Sequence, residues 1–127
     1  MRYLLDTHAL LWWFNEPELL SAAARAAIMD GDDIMVSAVS AMEISIKYRK
    51  GRLPYRTSLA VRFAETVATE AFTPLAITVD HAQRAGAYPG DHADPWDRLL
   101  AAQAELEGLQ LISCDAKIAE LGVAALW

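Results

Sequence analysis

Five acids of this chain stand where a carboxylate can do chemistry: Asp6, Glu43, Asp94, Asp97 and Asp115. Asp6 directly follows the apolar run "RYLL", and Asp115 follows "LQLIS" by two residues. Each also has a structural reading as a turn residue or helix N-cap, because aspartate is favoured at both. Glu43 shares the helical spacing of Val39, Met42 and Ile46, so it falls on an apolar stripe. Burying an unpaired carboxylate costs on the order of several kcal/mol. Glu43 therefore borders a cleft or pairs with Lys47 at i+4. In "DPWDR", Asp94 is spaced as an N-cap, Pro95 as the first helical residue and Asp97 as the third. One of the two acids suffices for capping, and the other can point outward from the same helix end. Carboxylates converging without a cation repel one another by roughly several kcal/mol. A hard divalent ion removes that repulsion, and Mg²⁺ prefers oxygen ligands, waters and substrate phosphates. A carboxylate cluster holding Mg²⁺ or Mn²⁺ is the usual apparatus of phosphodiester hydrolysis.

Other chemistries lack their residues. His8, His81 and His92 show no zinc-ligand spacing and have no cysteine companions. His8 reads as a structural residue beside the first strand end, and His92 as a loop residue. There is no glycine-rich phosphate loop and no G-x-S-x-G elbow. Cys114 is the only cysteine, so an intrachain disulfide is excluded and a reducing, cytoplasmic setting is expected. The net charge of −6 argues against a nucleic-acid partner when taken as an average. The average conceals a basic stretch: Lys47, Arg49, Lys50, Arg52, Arg56 and Arg62 lie between Ile44 and Ala64 with no acid among them. Trp12, Trp13 and Phe14 are consecutive, so one helix face cannot bury all three. At least one is expected to be exposed, as a partner surface or beside ordinary core packing.

The elements that must position these residues follow from periodicity. A length of 127 residues suits one domain, residues 1–127, and a hydrophobic fraction of 54% is globular. No run is long and apolar enough for a membrane span, and the N-terminus does not read as a signal peptide. Short apolar strands are expected at 2–5, 34–37, 75–79, in "LQLIS" and in "VAAL". Helices are expected over "HALLWWFN", 21–31, from Ala38 to Gly51, from Thr57 or Ser58 to about Ala71, over "DHAQRAGAY", from Asp94 to Glu107 and over "DAKIAELG". Residues 89–93 read as a loop. Strands alternating with helices predict an α/β domain with helices on both faces of a mostly parallel sheet. Sites in such sheets form beyond the carboxyl ends of the strands, where Asp6 and Asp115 fall.

The stretches "YLLDTHALLWW", "SAVSAMEISIKYRKGRL" and "HADPWDRLLAAQAELEGLQLISCD" together resemble a PIN domain. More closely, they are similar to the VapC-like toxin ribonucleases of bacterial toxin–antitoxin pairs. The resemblance spans roughly residues 2–126 and implies a three-layer α/β/α sandwich with metal-dependent endoribonuclease activity. It implies that Asp6, Glu43, Asp97 and Asp115 are the catalytic acids and hold Mg²⁺ or Mn²⁺. It resolves the choice within "DPWDR" in favour of Asp97, leaving Asp94 to capping and support. Thr7 and Ser113 match small hydroxyl positions beside the acids. Arg98, with Lys47, Arg49, Lys50 and Arg52, is expected to hold RNA backbone. A homodimer and an inhibitory antitoxin are implied as partners, with no membrane; the antitoxin segment would lie over the acidic groove, and the surface near Trp12 and Trp13 is a place to look for it. Two alternatives belong to other classes. One is a PIN-like binding module without turnover. The other is a Mg²⁺-binding signalling receiver domain, which needs paired acids after the first strand and a lysine ending a late one; this chain has neither.

Overall fold

The computed structural model describes residues 1–91 and 94–127. Five strands run through it: β1 (Arg2–Leu5), β2 (Asp33–Ser37), β3 (Thr73–Leu75), β4 (Gln110–Ile112) and β5 (Ala125–Leu126). The helices are α1 (Thr7–Asn15), α2 (Ala22–Asp30), α3 (Ala38–Arg49), α4 (Phe63–Ala68), α5 (Val79–Ala87), α6 (Pro95–Glu107) and α7 (Ala116–Ala119). The strands form one sheet in the order β3-β2-β1-β4-β5, and every neighbouring pair is parallel.

Because strand side chains alternate, β1 serves both faces of the sheet. Tyr3 and Leu5 join a core with Ile34, Val36 and Ile112, covered by Leu10 of α1, Ala24 and Ile28 of α2 and Val67 of α4. Leu4 joins the opposite core with Met35 and Leu111, covered by Leu100 and Ala104 of α6 and Ile118 of α7. Ala85 and Tyr88 then pack α5 onto Ala101 and Ala102 of α6. The result is the three-layer α/β/α sandwich that the resemblance implies, with the helices on both faces of a parallel sheet that the alternation of elements predicts.

Three local expectations need correction. The helix expected from Thr57 or Ser58 to Ala71 is a short 3-10 turn, Ser58–Ala60, followed by α4. Val61 and Arg62 have φ of −125° and −136°, which no helix continues through. The third strand is Thr73–Leu75 rather than 75–79, with Val36 opposite Pro74. Proline is tolerated there because β3 is an edge strand. Val79 opens α5 instead, and it is 83% exposed. Trp12, Trp13 and Phe14 are all half-buried, none fully exposed. Trp13 and Phe14 share Phe72 as a ring partner, while Trp12 packs on His8 and Trp127. The expectation for His92 lies outside the described residues.

Candidate active site

β1 passes into α1 through one residue, Asp6, and β2 passes into α3 through Ser37. Each is an N-cap with extended backbone whose side chain accepts an N–H of the helix it starts: Ala9 N–H to Asp6 Oδ1 at 2.8 Å, Val39 N–H to Ser37 Oγ at 3.0 Å. Leu5 is paired with Val36 and with Ile112, so β1, β2 and β4 end nearly level. The strand order reverses between β1 and β4, which is where ligands enter open α/β sheets.

A cleft of about 260 Å³ opens at this point. It is lined by Asp6, Thr7, His8, Glu43, Lys47, Asp94, Asp97, Leu100, Asp115 and Ile118. All five acids singled out in the sequence are therefore on one wall-and-rim surface, delivered by α1, α3, α6 and α7. Leu100 and Ile118 are buried and give the cleft an apolar floor. A larger hollow of about 670 Å³ lies elsewhere, beside α5 and the end of α6. Its buried His81 is already held, accepting Thr78 N–H at Nδ1 and meeting Glu107 Oε1 through Nε2 at 2.8 Å. The smaller cleft is the candidate site, because that is where the carboxylates gather.

Two hydroxyls organise the acids. Thr7 Oγ1 lies 2.9 Å from Ser40 Oγ and donates to Glu43 Oε1 at 2.9 Å. Ser113 Oγ accepts the N–H of Asp115 at 3.0 Å. Asp115 Oδ1 accepts Lys117 N–H at 2.9 Å and so caps α7. Asp94 Oδ1 accepts Trp96 N–H at 2.9 Å and Asp97 N–H at 3.4 Å, capping α6. Asp97 is half-buried in the first turn of α6. Asp6 is almost fully buried, and burial pushes its carboxyl above the usual carboxylate range. The bonds from Ser113 and Ala9 and the nearby His8 pull it back, while Glu43 pushes it further up.

Glu43 realises both of its sequence readings: it borders the cleft, and Lys47 Nζ lies 3.9 Å from its Oε2. The stripe reading itself was turned too far around the helix. α3 buries Val39, Ser40 and Ile44, while Met42 is 50% exposed. Ser40 was missed; its signal was a small hydroxyl one turn before Glu43. His8 was read as structural, yet it is exposed and lines the cleft. Arg98 was expected on RNA, but its guanidinium donates to the carbonyls of Ala85, Tyr88 and Gly90 at 3.0, 2.8 and 3.2 Å. It clamps the segment that leads from α5 to α6. Arg49, Lys50 and Arg52 are exposed at and beyond the end of α3, and only Lys47 of that group lines the cleft.

The donor set suits a hard cation. Among the described residues no three His, Cys, Asp or Glu side chains stand as a ready-made ligand group. Spaced carboxylates fit Mg²⁺, which keeps several waters and takes only one or two carboxylates directly. At roughly 30 Å³ per water, the cleft has room for a hydrated ion and a phosphate.

Comparison with known proteins agrees with this geometry. The family profile described as "PIN domain" matches residues 3–124. Ribonuclease VapC22 of Mycobacterium tuberculosis (strain ATCC 25618 / H37Rv) is 33% identical over 118 residues, covering 91% of this chain and 88% of that protein. Among solved structures, VapBC2 from Rickettsia felis, bound to a DNA fragment from their promoter, superposes with a TM-score of 0.71 at 13% identity, covering 99% of this chain and 98% of that one. A toxin–antitoxin complex from Klebsiella pneumoniae gives a TM-score of 0.62 at 23% identity, covering 91% of this chain and 88% of that one.

Proposed function

The chain belongs to the PIN domain family, and we propose that it is a metal-dependent endoribonuclease acting as the toxin of a toxin–antitoxin pair. The observation that carries this reading is the meeting of Asp6, Glu43, Asp94, Asp97 and Asp115 around one cleft at the switch point of a parallel sheet. In it, Asp6, Glu43, Asp97 and Asp115 hold Mg²⁺ or Mn²⁺. When bound, the ion would activate water and stabilise charge on the phosphate and the leaving oxygen. Thr7 fixes the rotamer of Glu43, and Ser113 holds the backbone of Asp115. Asp94 secures the helix end that carries Asp97. Lys47 holds a phosphate oxygen of the substrate, and Arg49, Lys50 and Arg52 follow its backbone outward. The net charge of −6 is a weak objection, because the ion neutralises acids inside the cleft while Arg49, Lys50 and Arg52 stay outside it.

The partners in this reading are RNA, a cognate antitoxin and a second copy of the chain, in the cytoplasm. No helix among the described residues is long and apolar enough to cross a membrane. The test is cleavage of total RNA by the purified protein with Mg²⁺ or Mn²⁺ and with EDTA. Cleavage is expected only with metal, and it should disappear in Asp6→Asn and Asp97→Asn. Wild-type rates in both variants would overturn the site. A binding module without turnover is the second reading, favoured by the lack of a preassembled ligand trio among the described residues. Calorimetric titration with Mn²⁺ separates the two, since a module without turnover need not bind the ion at these acids.

A further inference from the structure

His8, Trp12 and Trp127 form a short ladder of rings that begins in the cleft. His8 stacks on Trp12 with centroids 5.6 Å apart and planes 30° apart. Trp12 meets Trp127 edge-on, also at 5.6 Å. His8 and Trp12 share one face of α1 at i and i+4. Trp127 follows β5, the neighbour of the strand that leads to Ser113 and Asp115. The ladder therefore lies at the same carboxyl end of the sheet as the acids. His8 is exposed, and its ring nitrogens make no hydrogen bond among the described residues. Trp127 is 37% exposed. Core packing explains the buried side of Trp12 but not an exposed histidine stacked on it at the rim of a carboxylate cleft.

We propose that this ladder is a nucleobase subsite: an unpaired base of the nucleotide flanking the scissile phosphate stacks on His8, continuing the series from Trp127 and Trp12. The inference rests on the nuclease reading and adds to it a base-stacking position beside the scissile phosphate. A base inside a duplex is already stacked on both faces, whereas an unpaired base gains by lying on an aromatic ring. The continuity of His8 with the cleft wall ties base and phosphate recognition to one end of α1. A protein partner covering the same rings is the competing occupant, and the test separates it.

The probe is a mixed-sequence single-stranded oligoribonucleotide with one 2-aminopurine, alongside its counterpart with an abasic site at that position and its duplex. In EDTA, binding to the wild type should quench the 2-aminopurine, and the duplex should bind far more weakly. His8→Ala is expected to weaken binding on the order of tenfold, and His8→Phe, which keeps a stacking ring, to restore most of it. With metal, the same loss should appear in KM, with kcat changed by less than about twofold. The abasic probe should weaken the wild type by the same factor and leave His8→Ala almost unchanged, because the stack is lost only once. Circular dichroism checks that each variant is folded. Equal abasic penalties in wild type and His8→Ala, or His8→Phe as weak as His8→Ala, would overturn the subsite and leave the rings to packing or to a protein partner. Failure of the wild type to bind the probe would overturn it too. Binding with intact stacking but no cleavage would instead refute the nuclease reading alone.

Discussion

Capping and chemistry are usually weighed as alternatives for an aspartate at a helix start, and here three residues cap a helix while facing the candidate site. Asp6, Asp94 and Asp115 each give Oδ1 to an N–H of the helix they begin while lining the cleft. A cap needs one carboxylate oxygen, so the group is oriented without being used up. Asp94 is the N-cap and Asp97 stands inside the first turn, and that makes the pair in "DPWDR" unequal. Asp97→Asn should abolish RNA cleavage with a stability change within about 0.5 kcal/mol. Asp94→Ala should cost about 1 kcal/mol by chemical denaturation and remove only part of the activity. Equal effects of both on both properties would reverse the division of roles. Asp6 makes a separate prediction through its raised pKa. Below the ordinary carboxylate range both folded and unfolded chains are protonated, and no penalty exists. As pH rises toward the raised value the unfolded chain ionises first, so the native state loses relative stability, and the full penalty remains above that value. Metal-free Asp6→Asn should therefore be more stable than the parent at pH 7.5, with the gap closing toward pH 4. A gap independent of pH would show that the charge of Asp6 is not its cause. The acids themselves were legible, because Asp6, Glu43 and Asp115 sit at strand ends or against helix periodicity. Their support was not: the Thr7–Ser40–Glu43 contact joins residues more than thirty positions apart, and spacing along one helix carries no trace of it.

At the scale of elements, long periodic helices were readable and short or edge elements were not. α1, α2, α3 and α6 fall where their caps and breakers put them, Ser21 and Gly31 bounding α2 and Asp94 and Gly108 bounding α6. α4 was read too long because the apolar pattern runs on through Val61 and Arg62, where the backbone leaves the helix. β3 was displaced toward "ITV" because β-branched residues signal strand, yet the sheet edge accepts Pro74 opposite Val36 and leaves Ile77 and Val79 exposed. What holds α6 in place was equally hidden. Buried Gln103 accepts the Ser37 hydroxyl at 2.5 Å and donates to Ala76 O at 3.3 Å, so one side chain couples the starts of α3 and α5 to the helix carrying Asp97. The two boundary glycines act by different physics, and substitution should separate them. Gly108 has φ +66° with open space where a Cβ would stand, so Gly108→Ala should cost about 1 kcal/mol and Gly108→Asn less. Gly31 has an ordinary negative φ, but a Cβ there would meet Ile34 Cδ1 at 2.6 Å, Ala27 O at 2.8 Å and Tyr3 Cδ2 at 2.9 Å. Gly31→Ala should cost about 1–3 kcal/mol, and Gly31→Asn more, measured by urea denaturation. An asparagine rescue at Gly31 would mean that conformation, not packing, selects glycine there.

On the scale of the molecule, the fold concentrates acidic charge at one mouth of the sheet and keeps Arg49, Lys50 and Arg52 outside it. Three parallel strands end nearly level, and their continuations bring Asp6, Glu43 and Asp115 toward one another; this raises the native state's electrostatic energy until a cation shares the cleft. A cation that binds only the native chain stabilises it by about 2.7 kcal/mol at one hundred times its Kd. Thermal unfolding in Mn²⁺ or Mg²⁺ should consequently occur several degrees above that in EDTA, and Asp6→Asn should lose most of this difference while gaining stability in EDTA. The same coupling sets the pH dependence. Burial keeps a proton on Asp6 to a higher pH than an ordinary carboxylate would hold it, and proton and metal compete for one group. Stabilisation by metal should thus be complete at pH 8 and decline on acidification before an exposed carboxylate begins to titrate. Melting curves with and without metal at half-unit steps from pH 8 to pH 5 measure this directly. A metal-induced shift that stays constant across that range, or that survives in Asp6→Asn, would place the ion away from the buried end of the cleft.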